Sequence, residues 1–283
     1  VGLAAGFDKN AKLPRAIEML GFSFMEVGSV TALEWSGNAQ PRLFRVPEDK
    51  ALINRMGLNN DGAEIIGARL RRVKSKVAMP LLVNIAKTPA PGLEGEKAVE
   101  DYVTSILTVK DVADAIVLNI SCPNSGDGRT FEDPELLGAL LAGATGALHD
   151  GPPLLIKISP DLDESAFDTV VQLSLEAGIK GFVAANTSTN RSVLQTSPAT
   201  LDSIGNGGMS GAPLLGGTVE RISELRKRVG REALIIGVGG IFTAEDANRV
   251  LAAGANLVEG YTGFVYEGPA YAGRINRGIE RSA

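Results

Sequence analysis

Eight short apolar runs, each followed by a longer run with helical periodicity, predict an α/β chain closed into a (β/α)8 TIM barrel. Three observations carry that expectation. The alternation is regular from end to end; most strand-like runs are apolar on both faces, as parallel strands require; and polar residues gather at the C-terminal ends of those runs. A barrel of about 250 residues fits the 283-residue chain as a single catalytic domain, residues 1–283. An open doubly wound sheet is the alternative.

Strand-like runs fall near residues 1–6, 23–30, 80–86, 115–121, 154–159, 181–186, 234–239 and 257–262. Helical runs follow near 11–20, 60–75, 97–110, 133–148, 164–177, 217–229, 243–253 and 269–280. Leu234-Ile235-Ile236-Gly237-Val238 typifies the strands, with no polar face to turn to solvent. Gly21, Gly178 and Gly254 each stand just past a helical stripe, where a left-handed C-terminal cap needs a residue without Cβ. Thr243 and Asp246 have capping-box spacing ahead of Ala247, Val250 and Leu251. The connections after strands two, four and six are long, so in a barrel they roof the C-terminal face.

Composition excludes several function classes. With 44% hydrophobic residues the chain can bury a large core, and its net charge of -5 is distributed without a basic block, which argues against a nucleic-acid partner. The single cysteine rules out an intramolecular disulfide and points to a reducing, intracellular setting. No apolar run approaches the ~18 residues of a membrane span. The only histidine, His149, sits in a helix-end turn away from the rim, and no His or Cys cluster has metal-ligand spacing. Ser-His-Asp catalysis is therefore not available.

The strand ends deliver Lys9, Ser29, Asn84, Asn119, Lys157, Asn186, Gly239 with Gly240, and Tyr261 with Thr262 to one rim. A single polar strand end only meets solvent. Five asparagines (Asn54, Asn84, Asn119, Asn124, Asn186) and two lysines form a pattern suited to a planar heterocycle with alternating carbonyl and NH edges. Gly237-Val238-Gly239-Gly240 and Tyr261-Thr262-Gly263 match the place where barrels bind phosphate. Gly207-Gly208-Met209-Ser210-Gly211, in the loop after the sixth strand, is placed to close over the same ligand. Asp8 is the only acid expected near these motifs. Cys122, between Asn119 and Asn124 where the fourth strand meets a Pro-Asn turn, is the candidate for proton transfer.

Taken together, Gly2-Leu3-Ala4-Ala5-Gly6-Phe7-Asp8-Lys9, Pro41 to Arg45, Asn54-Arg55-Met56-Gly57, Asn119 to Asn124, Ile235 to Gly240 and Tyr261-Thr262-Gly263 resemble dihydroorotate dehydrogenase, in order and over essentially the whole chain. The resemblance is nearest the quinone-dependent, class 2 type. It implies FMN-dependent oxidation of (S)-dihydroorotate to orotate in pyrimidine (UMP) biosynthesis, with hydride passing from C6 to the flavin and electrons then to quinone. By position, Ala5, Gly6, Lys9, Ser29, Asn84, Asn119, Lys157, Gly211, Gly240, Tyr261 and Thr262 are implied to hold FMN. Lys9, Asn54, Arg55, Met56, Gly57, Leu58, Asn119, Asn124, Asn186 and Thr187 are implied to hold the pyrimidine.

Cys122 takes the position of the family's base, with Lys157 stabilising negative charge on the flavin. The quinone type ordinarily has serine where this chain has Cys122, and cysteine is typical of the soluble type that reduces fumarate or NAD. That acceptor choice, and an FMN barrel acting on another dihydropyrimidine, stay open at this point. Since the chain opens on Val1 within a strand, the resemblance implies an absent N-terminal extension that touches the cytoplasmic side of a membrane peripherally; a purely cytoplasmic protein is the alternative. Other departures are Ala185, where threonine is usual, and the stretches 32–36 and 125–129.

Overall fold

Strands that are apolar on both faces need cover on both faces, and the chain meets that need by closing on itself. The computed structural model describes residues 1–120, 131 and 133–280. In chain order, β1 (Gly2–Leu3), α1 (Pro14–Met19) and β2 (Phe24–Val30) come first, followed by a hairpin, β3 (Leu43–Val46) and β4 (Ala51–Asn54), and then α2 (Ala63–Lys74). Three regular units follow: β5 (Leu81–Ile85) with α3 (Glu96–Val109), β6 (Ala115–Asn119) with α4 (Pro134–Ala147), and β7 (Leu154–Ile158) with α5 (Glu164–Glu176). After β8 (Gly181–Ala184) the chain makes a second excursion through α6 (Pro198–Ile204) and β9 (Gly208–Gly211) before α7 (Leu215–Val229). It finishes with β10 (Leu234–Val238), α8 (Ala244–Ala252), β11 (Leu257–Gly260), α9 (Thr262–Glu267) and α10 (Tyr271–Glu280).

β1, β2, β5, β6, β7, β8, β10 and β11 close in that order into a barrel, each hydrogen-bonded in parallel to its neighbours. The eight predicted strands are these eight. Their helix caps also agree: Gly21, Gly178 and Gly254 adopt φ of 85°, 79° and 119°, and Thr243 and Asp246 form a reciprocal capping box. The first unit is shorter than expected. Asp8 accepts hydrogen bonds from the backbone of Asn10, Lys12 and Leu13, which holds residues 8–13 as a loop and delays α1 to Pro14.

Sequence periodicity did not anticipate the antiparallel sheet β3-β4-β9, whose strands come from the loops after β2 and β8. β4 pairs with β9 from Ala51 opposite Gly211 to Asn54 opposite Gly208. Strands this short, in glycine-bearing loops, carry too little alternation to stand out. The sheet gains its own small core from Val46, Ala51, Ile53, Ile204 and Met209.

Two apolar layers hold the barrel. The larger lies between strands and helices, with Tyr102, Phe167 and Tyr271 among its fully buried side chains. The smaller fills the barrel interior with Phe24, Leu82, Ala115, Val117, Leu155, Val183 and Ile236. Side chains alternate along a strand, so the next inward positions towards the C-terminal mouth are Glu26, Asn84, Asn119 and Lys157. Polar groups thus begin one step above an apolar plug. No helix among the described residues is long and apolar enough to cross a membrane.

Gly2 shows how tightly the plug is fitted: a Cβ there would lie 2.3 Å from the Phe24 ring. Gly2→Ala should therefore cost about 1–3 kcal/mol through overpacking, and Phe24→Leu in that background should restore part of the loss in urea denaturation. A Gly2→Ala protein as stable as its parent would show that the ring moves aside freely.

Candidate active site

The barrel mouth is organised around a buried ion pair. Lys157, from β7, donates to Glu26, from β2, at 2.8 Å, with side-chain exposures of 6% and 0%. Glu26 accepts two further hydrogen bonds, from the backbone of Ala5 at 3.2 Å and from Asn84 Nδ2 at 2.7 Å. Burial alone would raise the Glu26 carboxyl; the adjacent ammonium first, then hydrogen bonding from Glu259 and Asn84, outweigh it and hold the group below the usual carboxylate range. Burial alone would likewise lower Lys157, and the facing Glu26 carboxylate, the largest opposing charge, reverses that, so the lysine stays cationic.

Asp8 was the acid expected here, and the structure corrects that expectation. Its carboxylate is engaged by backbone amides, while Glu26 and Glu259, both fully buried, are the acids inside the barrel. Each lies within a strand that is otherwise mostly apolar, Phe24-Met25-Glu26-Val27 and Leu257-Val258-Glu259-Gly260. A lone acid inside a two-sided apolar run was the available signal, since such a group persists only with a partner or a proton.

Above the ion pair lies a chain of amides. Asn119 Nδ2 donates to Ser29 Oγ at 3.2 Å, and Asn186 Nδ2 donates to Asn119 Oδ1 at 3.3 Å. Tyr102, not among the residues singled out from the sequence, fixes the end of β6 by donating its hydroxyl to the Asn119 carbonyl at 2.7 Å. Asn186 Oδ1 accepts the Thr187 amide at 2.9 Å. Thr187 in turn crowds Gly208, where a Cβ would meet its Oγ1 at 2.2 Å. Asn54 Nδ2 donates to the Gly208 carbonyl at 3.3 Å, so β4 and β9 bring Asn54 to the same quarter as Asn186 and Thr187.

The glycine cluster gathers on the other side. Gly211 has φ 115°, and a Cβ there would strike Lys50 O at 2.3 Å and approach Thr262 at 3.1 Å. Ser210 and Thr262 hydroxyls lie 2.8 Å apart. Gly240, at φ 77°, packs against the first residue of α7, where a Cβ would lie 2.4 Å from the Leu215 nitrogen. Gly6, at φ 98°, faces Tyr261, whose ring stacks edge-on to Phe7 at 5.6 Å.

The segment 54–58 is held by its own surroundings. Arg55 donates to the carbonyls of Ile204 and Asn206 and lies 4.5 Å over the Phe44 ring, so its side chain fastens the hairpin to the α6–β9 turn. Met56, Gly57 and Leu58 are half-buried, with Gly57 and Leu58 at φ 70° and 57°. Lys9 is half-buried in the loop after β1. Trp35, half-buried, pairs through its backbone with Asn60. Cys122, Asn124 and the 125–129 stretch lie outside the described residues. His149 is exposed beside Asp150 at the end of α4, and no group of metal-ligating side chains occurs among the described residues.

This arrangement has known counterparts. The sequence profile described as dihydroorotate dehydrogenase matches residues 1–282. A protein of Clavibacter michiganensis named dihydroorotate dehydrogenase (quinone) is 44% identical over 281 residues, covering 99% of this chain and 81% of its own length. Its namesake in Mycolicibacterium smegmatis is 44% identical over 279 residues, covering 99% of this chain and 77% of its own. Among solved structures, the Eimeria tenella DHODH in complex with ferulenol superposes with a TM-score of 0.91 at 31% identity, over 99% of this chain and 80% of that one. With a matching fold and a match running the length of the chain, the chain belongs to the dihydroorotate dehydrogenase family.

Proposed function

We propose that this chain oxidises (S)-dihydroorotate to orotate in de novo pyrimidine biosynthesis, using FMN and passing the electrons to a quinone. The full-length likeness to proteins named dihydroorotate dehydrogenase (quinone) carries the reaction and its acceptor. The residues present fit a flavin. Asn84 Oδ1 is buried without a hydrogen-bond partner among the described residues, which suits a ligand NH. Gly211, with Thr262 beside it, and Gly240, against the start of α7, fall where a phosphate is expected. FMN, when bound, supplies the acceptor for the hydride leaving C6 of the substrate.

The chain's own residues supply the rest. Ala5, Gly6, Lys9, Ser29, Asn84, Asn119, Lys157, Gly211, Gly240, Tyr261 and Thr262 hold the cofactor. Lys157 keeps a fixed positive charge at the floor of the site, anchored by Glu26, and favours negative charge arriving there. Lys9, the 54–58 segment, Asn119, Asn124, Asn186 and Thr187 grip the pyrimidine; the amide chain offers alternating donors and acceptors, and the lysine meets the carboxylate. Cys122 removes the proton from C5. An unperturbed thiol has a pKa of about 8.5, so it reaches its basic form far nearer neutrality than a serine hydroxyl.

Cys122 also favours a second reading, in which the acceptor is fumarate or NAD, as in the soluble type. Dihydroorotate oxidation by the purified protein, with quinone, fumarate and NAD compared side by side, separates the two. A colourless protein that gains no flavin absorbance on addition of FMN would overturn both.

Cys122→Ala should lower kcat roughly 10²–10⁴-fold, the share ordinarily contributed by a positioned base, while the flavin spectrum stays intact. Retained turnover would remove Cys122 from that role. Activity of the parent should rise with pH as the thiol deprotonates, and Cys122→Ser should displace that limb to higher pH; coincident profiles would contradict the assignment. Asn54→Ala should raise KM for dihydroorotate several-fold, the loss of about 1 kcal/mol of hydrogen bonding, and leave FMN affinity unchanged in fluorescence titration.

A further inference from the structure

The charged layer above the apolar plug contains one acid more than the ion pair requires. Glu26 and Glu259 are both 0% exposed, and among the described residues Lys157 is the one cationic side chain acting on them. Glu259 comes from β11, two residues before Tyr261, and its backbone is paired to Gly2 and Val238. Glu26 already receives Ala5, Asn84 and Lys157. Neither oxygen of Glu259 accepts a hydrogen bond from an N–H or hydroxyl donor among the described residues, and its side-chain neighbour is the Glu26 carboxylate.

The charged side chains facing Glu259 are Glu26 from β2 and Lys157 from β7. Two buried carboxylates opposite one lysine would give the layer a net negative charge directly beneath an electron-rich ligand. They would also divide the ammonium between two partners and draw it away from the mouth. One carboxylate and one neutral acid avoid both results.

We propose that Glu259 holds a proton in the folded protein and acts as a positioning residue: as a neutral acid it leaves Glu26 the sole carboxylate facing Lys157, so the ammonium keeps one partner and its full charge towards the site. Burial, then the neighbouring Glu26 charge, raises the Glu259 carboxyl well above the ordinary glutamate range, in keeping with this role. That the layer forms the floor of a flavin site rests on the dihydroorotate dehydrogenase reading; the proton on Glu259 does not.

The linkage sign follows. A group whose folded pKa lies above its unfolded value binds more protons in the folded state, so its contribution to stability falls as pH rises from about 5. Glu259→Gln keeps the shape and removes the titration. The ratio of parent to variant unfolding constants should therefore grow about tenfold per pH unit above that point, for as long as the parent retains the proton. A ratio that does not change with pH would overturn the proposal.

Infrared spectroscopy of the purified protein as isolated gives the second readout. A protonated-carboxyl C=O stretch should appear in the parent-minus-variant difference for Glu259→Gln. No such band would overturn the proposal. Failure to oxidise dihydroorotate with the band intact would defeat the enzymatic reading and leave the proton assignment standing.

Discussion

The ammonium of Lys157 is buried on the inner wall of a closed barrel, and much of the mouth is arranged so that it can be there. A cation in that position needs a counter-charge, and a counter-charge that is also buried needs donors of its own. Glu26 meets the first need, and Asn84 with the Ala5 amide meets the second. Removing one member of such a pair typically costs about 3–5 kcal/mol, because the other is left charged and alone. The pair is thus poor evidence of added stability and strong evidence of a retained function, since apolar side chains would fill the same layer at lower cost.

The barrel was legible in the chain because its signals repeat: eight two-sided apolar runs, with glycine caps at Gly21, Gly178 and Gly254. The rim was legible for the same reason, as Ser29, Asn84, Asn119, Lys157 and Asn186 all fall at strand ends, where register alone brings them together. The partners were not legible. Glu26 and Glu259 sit in the middle of strand runs, and nothing local says that the strand carrying Lys157 stands across the barrel from them. Tyr102 reads as a core aromatic, and only the tertiary structure shows its hydroxyl holding the Asn119 carbonyl.

The mouth sheet was hidden for a different reason. β3, β4 and β9 are four residues each, and their pairing is set by the barrel that carries the two loops, not by intrinsic propensity. Glycine explains why the loops can meet. At Gly207, Gly208 and Gly211 a Cβ would collide with Asn54, Thr187 or Lys50, so β9 can lie close against β4 and Thr187 only with those side chains missing. The glycine segment read in the sequence as closing over the ligand thus also permits this packing.

That sheet bears on the order in which the molecule assembles. Asn54 and Gly208 are separated by 154 positions in the chain, and the two loops approach each other only when the first and second halves of the barrel are already joined. Contacts of such long sequence separation are entropically slow to form. The pyrimidine-facing quarter of the mouth is therefore a late product of folding. A half-barrel released by truncation or proteolysis would retain strands and helices yet have no means of building it.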